Sequence, residues 1–395
     1  MLKDGMFERN SSMEWILKHF SGTEAPDFNE LKALLGSWAL RMQNTPQRSD
    51  YHAEGDVLTH TEMVCKAMTQ LEAYRREPPE GRALLYLAAL FHDIGKPLTT
   101  EISEDAIHSP GHARVGVGLA RTILWRELGL CGTPEKQNFR EQICHLIRFH
   151  SLPPKAVSDP SAVRKLIRAS SDGSLIPGFT VRKLCVLSEA DVRGRICLDH
   201  EKLVENVELC RMLAGENNCL DGPFPFRSEF SRYAYLSGRK TQPDQELYDN
   251  TWGRVILLSG LPGTGKEAWI REQAPDLPVI SLEAIRRELK LSPGDNQSPV
   301  MARGRELATE FLRKKQEFIW NSDNLTDSVR KNQVSLFRDY GASVQLVYLE
   351  TGWEALLRRN AEKDEPVPEE ELFRLQEKLI PPSVGEANRV EWRCI

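Results

Sequence analysis

An adjacent His92-Asp93 pair closes the apolar stretch Leu87-Ala88-Ala89-Leu90-Phe91 and runs at once into Ile94-Gly95-Lys96-Pro97. Gly and Pro terminate helices. Neighbouring helical residues point about 100° apart, so this imidazole and this carboxylate reach a common ion only at a helix end. A nitrogen and an oxygen donor side by side suit a first-row divalent metal. Lys96, one turn on, is placed to meet an anionic oxygen of a phosphate. Four groups of the same chemistry lie on separate segments. His60 leads Val64, Ala67, Met68 and Leu71 at helical spacing. His112 follows the break at Gly111, and His150 ends a helix ahead of Pro153-Pro154. Asp191 sits on an apolar helix before Gly194, where a carboxylate is rarely buried without a cation or a donor. His145 falls about 140° round the helix from His150 and reads as a bystander. His52, among turn formers, has a weaker claim than His60.

A second set of residues points to nucleotide chemistry. Arg254-Val255-Ile256-Leu257-Leu258-Ser259 reads as a buried parallel strand. It enters Gly260-Leu261-Pro262-Gly263-Thr264-Gly265-Lys266, which fits G-x-x-x-x-G-K. Gly260, Gly263 and Gly265 free the backbone, with Thr264 among them, to wrap phosphate oxygens at a helix N-terminus, and Lys266 reaches the β and γ phosphates. Glu267 stands where Ser or Thr normally holds Mg²⁺. A carboxylate there ligates the ion through water, or the ion relies on ATP oxygens and a different acid.

The elements that carry these groups fall into two blocks. Residues 1–240 read as helices, the first of them short, and an aromatic and basic stretch, Phe224 to Tyr235, bridges onward as base platform or interdomain packing. From about Tyr248 to 395, strands 277–282, 317–320 and 343–349 alternate with helices, which gives a parallel α/β sheet with its sites at the strand C-termini. The expected architecture is a multidomain chain, an all-α helical bundle at 1–240 followed by an α/β P-loop domain at 248–395. At 395 residues, with 40% hydrophobic and 28% charged residues, the composition is that of ordinary globular protein. A net charge of -5 argues against nonspecific coating of nucleic acid and leaves room for a small basic groove. No apolar run is long enough to span a bilayer, and Met1-Leu2-Lys3-Asp4 lacks a signal-peptide core, so the expected location is cytoplasmic, with no membrane partner. The 8 Cys are scattered without a Cys-x-x-Cys pair, which predicts free thiols.

The set His60, His92-Asp93, His112, His150 and Asp191, in this order, resembles the HD superfamily of metal-dependent phosphohydrolases. The phrasing His-Asp-Ile-Gly-Lys-Pro, Gly-His-Ala-x-x-Gly and Ala-Asp-x-x-Gly-Arg is also similar to the HD domain attached to CCA-adding enzymes. The resemblance implies two divalent transition-metal ions of the Mn, Fe, Ni, Co or Zn class. His60, His92, Asp93 and Asp191 would hold one, His112 and His150 the other, with Asp93 bridging. Such a pair activates water and clamps phosphoryl oxygens, and Lys96, Arg114 and Arg193 are candidate partners for the substrate phosphate.

The later block resembles P-loop polynucleotide kinases, using ATP or another NTP with Mg²⁺. Their Ser-x-Asp-x-x-Arg motif is matched by Ser281-Leu282-Glu283-Ala284-Ile285-Arg286 with Glu for Asp. The resemblance makes Glu283 the candidate base for a 5′-hydroxyl and Arg286 a contact to the acceptor strand. Arg359, with Arg358 as its rival, would cover the ATP phosphates, and Arg330 would be a further phosphate contact. The whole chain resembles the bacterial HD-Pnk nucleic-acid repair enzymes. That implies removal of 3′-phosphate or 2′,3′-cyclic phosphate, addition of a 5′-phosphate to RNA or DNA ends, and a nucleic-acid ligase acting downstream. Two other classes remain, a nucleotide-metabolising hydrolase fused to a small-molecule kinase and an ATP-binding regulatory protein.

Overall fold

A computed structural model describes residues 12–395 apart from Thr23, Tyr51, Asp105, Pro293 and Asp364. Met1 to Asp4, read above for a leader, lie outside the described residues. The chain divides into two compact units. One runs to Cys131 and from Glu135 to Phe224, and the other takes Gly132–Pro134 and Pro225–Ile395.

The first unit is helical and is organised round the segment that delivers the His-Asp pair. Its principal helices are α1 (Val57–Gln70), α2 (Pro79–Phe91), α3 (His112–Thr122), α4 (Pro134–Phe149) and α5 (Val181–Arg193). Every residue of α2 from Ala83 to Phe91 is buried. A helix apolar all round must be enclosed by others, and α1 and α5 pack on it and on each other. The Asp56 carboxylate caps α1 by accepting from the Thr59 N–H at 2.9 Å. The helix therefore begins at Val57 and carries His60 in its first turn, one turn deeper than a start at His60 would give.

After Phe91 the backbone tightens, with Ile94 N–H donating to Phe91 O and Lys96 N–H to Asp93 O at 3.2 and 3.0 Å. Gly95 lets this turn touch the start of α3. A Cβ there would sit 2.1 Å from His112 O and 2.6 Å from the Gly116 nitrogen. Gly95→Ala is expected to lower stability by about 1–3 kcal/mol or more, because two backbones must part. Gly118→Ala, on the same helix α3 with nothing within 4 Å of its added methyl, should be neutral or stabilising by up to about 1 kcal/mol. Thermal unfolding of the two variants compares them directly.

The second unit holds a five-stranded parallel sheet, β1 (Arg254–Ser259), β2 (Val279–Ser281), β3 (Phe318–Asn321), β4 (Ser343–Glu350) and β5 (Arg389–Cys394), in the order β2-β3-β1-β4-β5. Leu257 of β1 registers with Trp320 on one side and Leu346 on the other. β1 is thus central, and its C-terminus opens where the chain turns to opposite sides of the sheet, the position at which such folds bind ligands. β2 is shorter than the run 277–282 because helix begins at Leu282. β5 pairs with β4 and extends the sheet beyond the strands legible in the sequence.

The stretch 225–240, expected to close the first domain, sits with the second unit. Its helix Glu229–Leu236 buries Phe230, Ala234, Tyr235 and Leu236. The Arg338 guanidinium lies over the Phe230 and Tyr233 rings at 5.2 and 4.8 Å, and Arg232 donates to Asn388 O at 2.7 Å. The aromatic segment therefore serves packing within the second unit. All eight cysteines are free and buried or half-buried. Among the described residues no helix is long and apolar enough to cross a membrane.

Candidate functional site

The helix ends bring His60, His92, Asp93, His112, His150 and Asp191 together. His60 Nε2 lies 3.1 Å from Asp191 Oδ1, 3.4 Å from His92 Nε2 and 3.7 Å from Asp93 Oδ2. His92 Nε2 is 3.2 Å from the same Asp93 oxygen. Asp93 Oδ1 faces the other way, 3.5 Å from His112 Nε2 and 3.9 Å from His150 Nε2, and those two nitrogens are 3.4 Å apart. One carboxylate thus offers one oxygen to each of two donor groups. Donors sharing an ion at about 2.1 Å lie roughly 3–3.5 Å apart, so these separations suit cations on both sides of Asp93. Asp93 Oδ1 is buried and accepts no hydrogen bond, which a cation would remedy.

The second nitrogen of three of the imidazoles is hydrogen-bonded from behind, and that of His60 faces a carboxylate. Nδ1 of His92, His112 and His150 lies 2.7, 2.8 and 2.8 Å from the carbonyls of Ala89, Ser109 and Ile147, each three residues back. His60 Nδ1 stands 2.9 Å from Glu54 Oε1. Anchoring Nδ1 fixes the ring and leaves Nε2 as the ligand. Burial pushes the Asp93 and Asp191 carboxyls up, but the charges of His92 and Lys96 on the first and of Arg195 on the second prevail and hold both well below the usual range. Burial, reinforced by the charge of His92, pushes His150 down to about 3, and burial lowers His112 despite Asp93. The site therefore presents ionised carboxylates and, at His112 and His150, neutral imidazoles, the forms that bind metal, while at His92 burial is outweighed by Asp93 and Asp191, which raise it.

Around this cluster the cations divide differently from expectation. Lys96 Nζ lies 2.7 Å from Asp93 Oδ2 and donates to Gln47 Oε1 at 2.6 Å. Arg114 is exposed on α3. Arg193, expected at the phosphate, instead pairs with Glu189 at 2.9 Å. Two residues on from Asp191 it projects about 200° round the helix, whereas Arg195, four residues on, grips both Asp191 oxygens. Gln47, His52, Glu54 and Arg195, of which the sequence marks only His52 as a candidate, form the outer layer. The nearest signal was the polar run His52 to Asp56 ahead of α1. His145 stays outside, its Nε2 3.0 Å from Ala169 O.

In the second unit β1 delivers the glycine loop. Gly260, Gly263 and Gly265 adopt left-handed φ of 147°, 84° and 90°, which side chains resist. Gly265 caps α6 (Lys266–Gln273). Lys266 is buried and its Nζ donates to Gly260 O, Leu261 O and Asp323 Oδ1 at 2.9, 3.0 and 2.8 Å. Asp323, two residues past β3, was missed although strand C-termini are where such acids belong. The Thr264 hydroxyl is turned inward onto Leu261 O at 2.8 Å, so its contribution to the cradle is backbone. Glu267 accepts from the Asn321 amide at 3.1 Å, which with Lys266 outweighs burial and keeps its carboxyl below the usual range. Arg359 Nη1 is buried without a hydrogen-bond partner and lies 3.5 Å from where a Cβ on Gly265 would be. An unpaired donor over a phosphate loop suits a phosphate oxygen; Arg358 is exposed.

At the end of β2, Ser281 caps the next helix by accepting from Ala284 N–H at 3.2 Å. Glu283 is solvent-exposed and 3.4 Å from Arg287. Arg286 donates to Gln297 Oε1 at 2.8 Å. Arg330, expected as a phosphate contact, is fully buried. It pairs with Glu386 through two nitrogens and donates to the Asn324, Leu325 and Ile380 carbonyls. Its hydrogen-bonding capacity is taken up in tying the end of β3 to the segment before β5.

Comparison with known proteins matches these units separately. Residues 57–173 match the HD domain family and residues 255–382 match an AAA domain family. A Multifunctional CCA protein of Xanthomonas campestris is 28% identical over 204 residues, covering 50% of this chain and 42% of that protein. One from Xylella fastidiosa is 27% identical over 193 residues, covering 47% and 39%. An L-seryl-tRNA(Sec) kinase of Methanococcus maripaludis is 23% identical over 135 residues, covering 32% of this chain and 53% of its own length. The chain thus spans about half or less of the length of these relatives. It joins an HD domain, in a chain similar over half its length to CCA proteins, to a P-loop domain of kinase-like type.

Proposed function

We propose that this chain heals nucleic-acid ends, its helical unit removing 3′-phosphates or opening 2′,3′-cyclic phosphates and its α/β unit phosphorylating 5′-hydroxyls. The observation that carries this reading is the Asp93 carboxylate, with one oxygen turned to His60 and His92 and the other to His112 and His150. Divalent ions held by these residues and Asp191 would acidify water and polarise phosphoryl oxygens. Lys96 supplies positive charge to a phosphate oxygen, and the three backbone-anchored imidazoles keep their donors aimed without rearrangement. In the hydrolysis a water oxygen bonds to phosphorus, the bond to the 3′-oxygen breaks, and that oxygen leaves as the strand's 3′-hydroxyl.

In the kinase unit the loop amides and Lys266 would hold the ATP phosphates, and Arg359, whose Nη1 lies beside Gly265, would add charge to them. The acceptor 5′-oxygen bonds to the γ-phosphorus while its proton passes to Glu283, and the bond to the β-phosphate oxygen breaks to release ADP. Removing a 3′-phosphate and adding a 5′-phosphate together yield the pair of ends that a ligase joins. That complementarity favours a strand end as the common substrate.

The test is a strand with a 3′-phosphate and a 5′-hydroxyl, incubated with γ-labelled ATP and Mn²⁺ or Mg²⁺. Label at the 5′ end together with loss of the 3′-phosphate supports the proposal. Label on free nucleosides but not on strands favours a small-molecule kinase, and ATP binding without turnover favours a regulatory protein. Glu283→Ala is expected to lower label transfer by about 10²–10⁴-fold, the usual contribution of a general base. ATP affinity and phosphate release should not change.

A further inference from the structure

The layer behind the metal centre contains a carboxylate whose connections exceed those of an ordinary surface acid. Glu54 is nearly enclosed, with 1% of its side chain exposed. Its Oε1 stands 2.7 Å from His52 Nδ1 and 2.9 Å from His60 Nδ1. Its Oε2 accepts the Ile196 N–H at 3.0 Å, and the Ile196 carbonyl in turn accepts the Ala53 N–H at 3.0 Å. Glu54 thereby joins the approach to α1 to the chain just beyond α5. Ile196 follows Arg195, the residue that grips both oxygens of Asp191. His60 and Asp191 lie 131 residues apart yet meet at 3.1 Å; Glu54 sits against the first at 2.9 Å and is hydrogen-bonded to the neighbour of the other's partner.

We infer that Glu54 is a positioning residue for one side of the metal centre, fixing His60 through its Nδ1 and Asp191 through Ile196 and Arg195, while leaving the His112 and His150 side untouched. The inference rests on the reading of this cluster as a metal centre. A carboxylate on the far nitrogen of a ligating imidazole fixes its tautomer and ring plane and strengthens its donor. The other three imidazoles use backbone carbonyls for this purpose. His60 alone among them depends on a side chain, so one substitution can loosen it selectively. His52, Glu54 and His60 also lie close enough to form a third cation site. That arrangement would require His60 to give both nitrogens to metal, so the titration below also counts ions.

Mn²⁺ titration of the full chain, read by electron paramagnetic resonance, tests this, with the Co²⁺ absorption spectrum as the signature of ligand geometry. Glu54→Ala should weaken one Mn²⁺ site by about 10–100-fold, the usual cost of losing such a partner, and leave the other site unchanged. Glu54→Gln retains an acceptor oxygen and should fall between, with a shifted Co²⁺ band. Wild-type affinities in both variants would overturn the inference, as would equal weakening of both sites or a third Mn²⁺ lost in His52→Ala. A wild-type chain that binds no Mn²⁺ would overturn the metal-centre reading itself and the inference with it.

Discussion

Asp93→Ala is expected to reduce phosphate release from a 3′-phosphate strand by at least about 10³-fold, because a single side chain serves both donor groups. No other residue of the cluster has this property. His60 and His92 face one Asp93 oxygen, with Asp191 beside both imidazoles, and His112 and His150 face the other. Asp93→Asn should be nearly as severe, since a neutral amide keeps the shape but withdraws the charge that attracts cations. Transfer from ATP should stay within about twofold, as expected for sites that share no partners. The groups that touch Asp93 all belong to the first unit. Parallel loss of both activities would show that the two chemistries are not separable in the way described.

The mirror-image prediction concerns Lys266. Lys266→Ala should lower phosphoryl transfer by about 10²–10³-fold or more, the scale seen when a preorganised donor to a transition-state oxygen is removed. Its ammonium is held in place by two loop carbonyls and Asp323. Losing it removes charge where the β and γ phosphates bind and leaves Asp323 without its partner. Lys266→Met, which keeps the aliphatic stem, should be equally inactive while preserving packing better. Phosphate release by the helical unit should be unaffected, and single-turnover assays with labelled ATP separate the loss of transfer from a loss of binding.

Much of this was legible in the chain because the chemistry is spelled locally. His92-Asp93 sits where an apolar run stops, and the glycine loop follows a strand of β-branched residues. Those are short-range patterns, and the geometry honours them. Long-range choices were less legible. The exchange of Arg193 for Arg195 turns on which residue shares a helical face with Asp191, a difference of two positions. The role of Glu54 depends on Ile196 returning from 142 residues away. Strand β5, Arg389 to Cys394, is short and alternates charged with apolar residues, unlike the continuous apolar runs by which the buried strands of this parallel sheet are read. The aromatic character of helix 229–236 does not say which unit it packs on.

The most direct test of the central claim is anomalous diffraction from crystals of the full chain soaked in Mn²⁺. Two peaks about 3.5–4 Å apart are expected, the spacing of paired-metal sites, one beside Asp93 Oδ2 with His60, His92 and Asp191, the other beside Asp93 Oδ1 with His112 and His150. A single peak, or density that leaves either Asp93 oxygen without a metal neighbour, would contradict that claim.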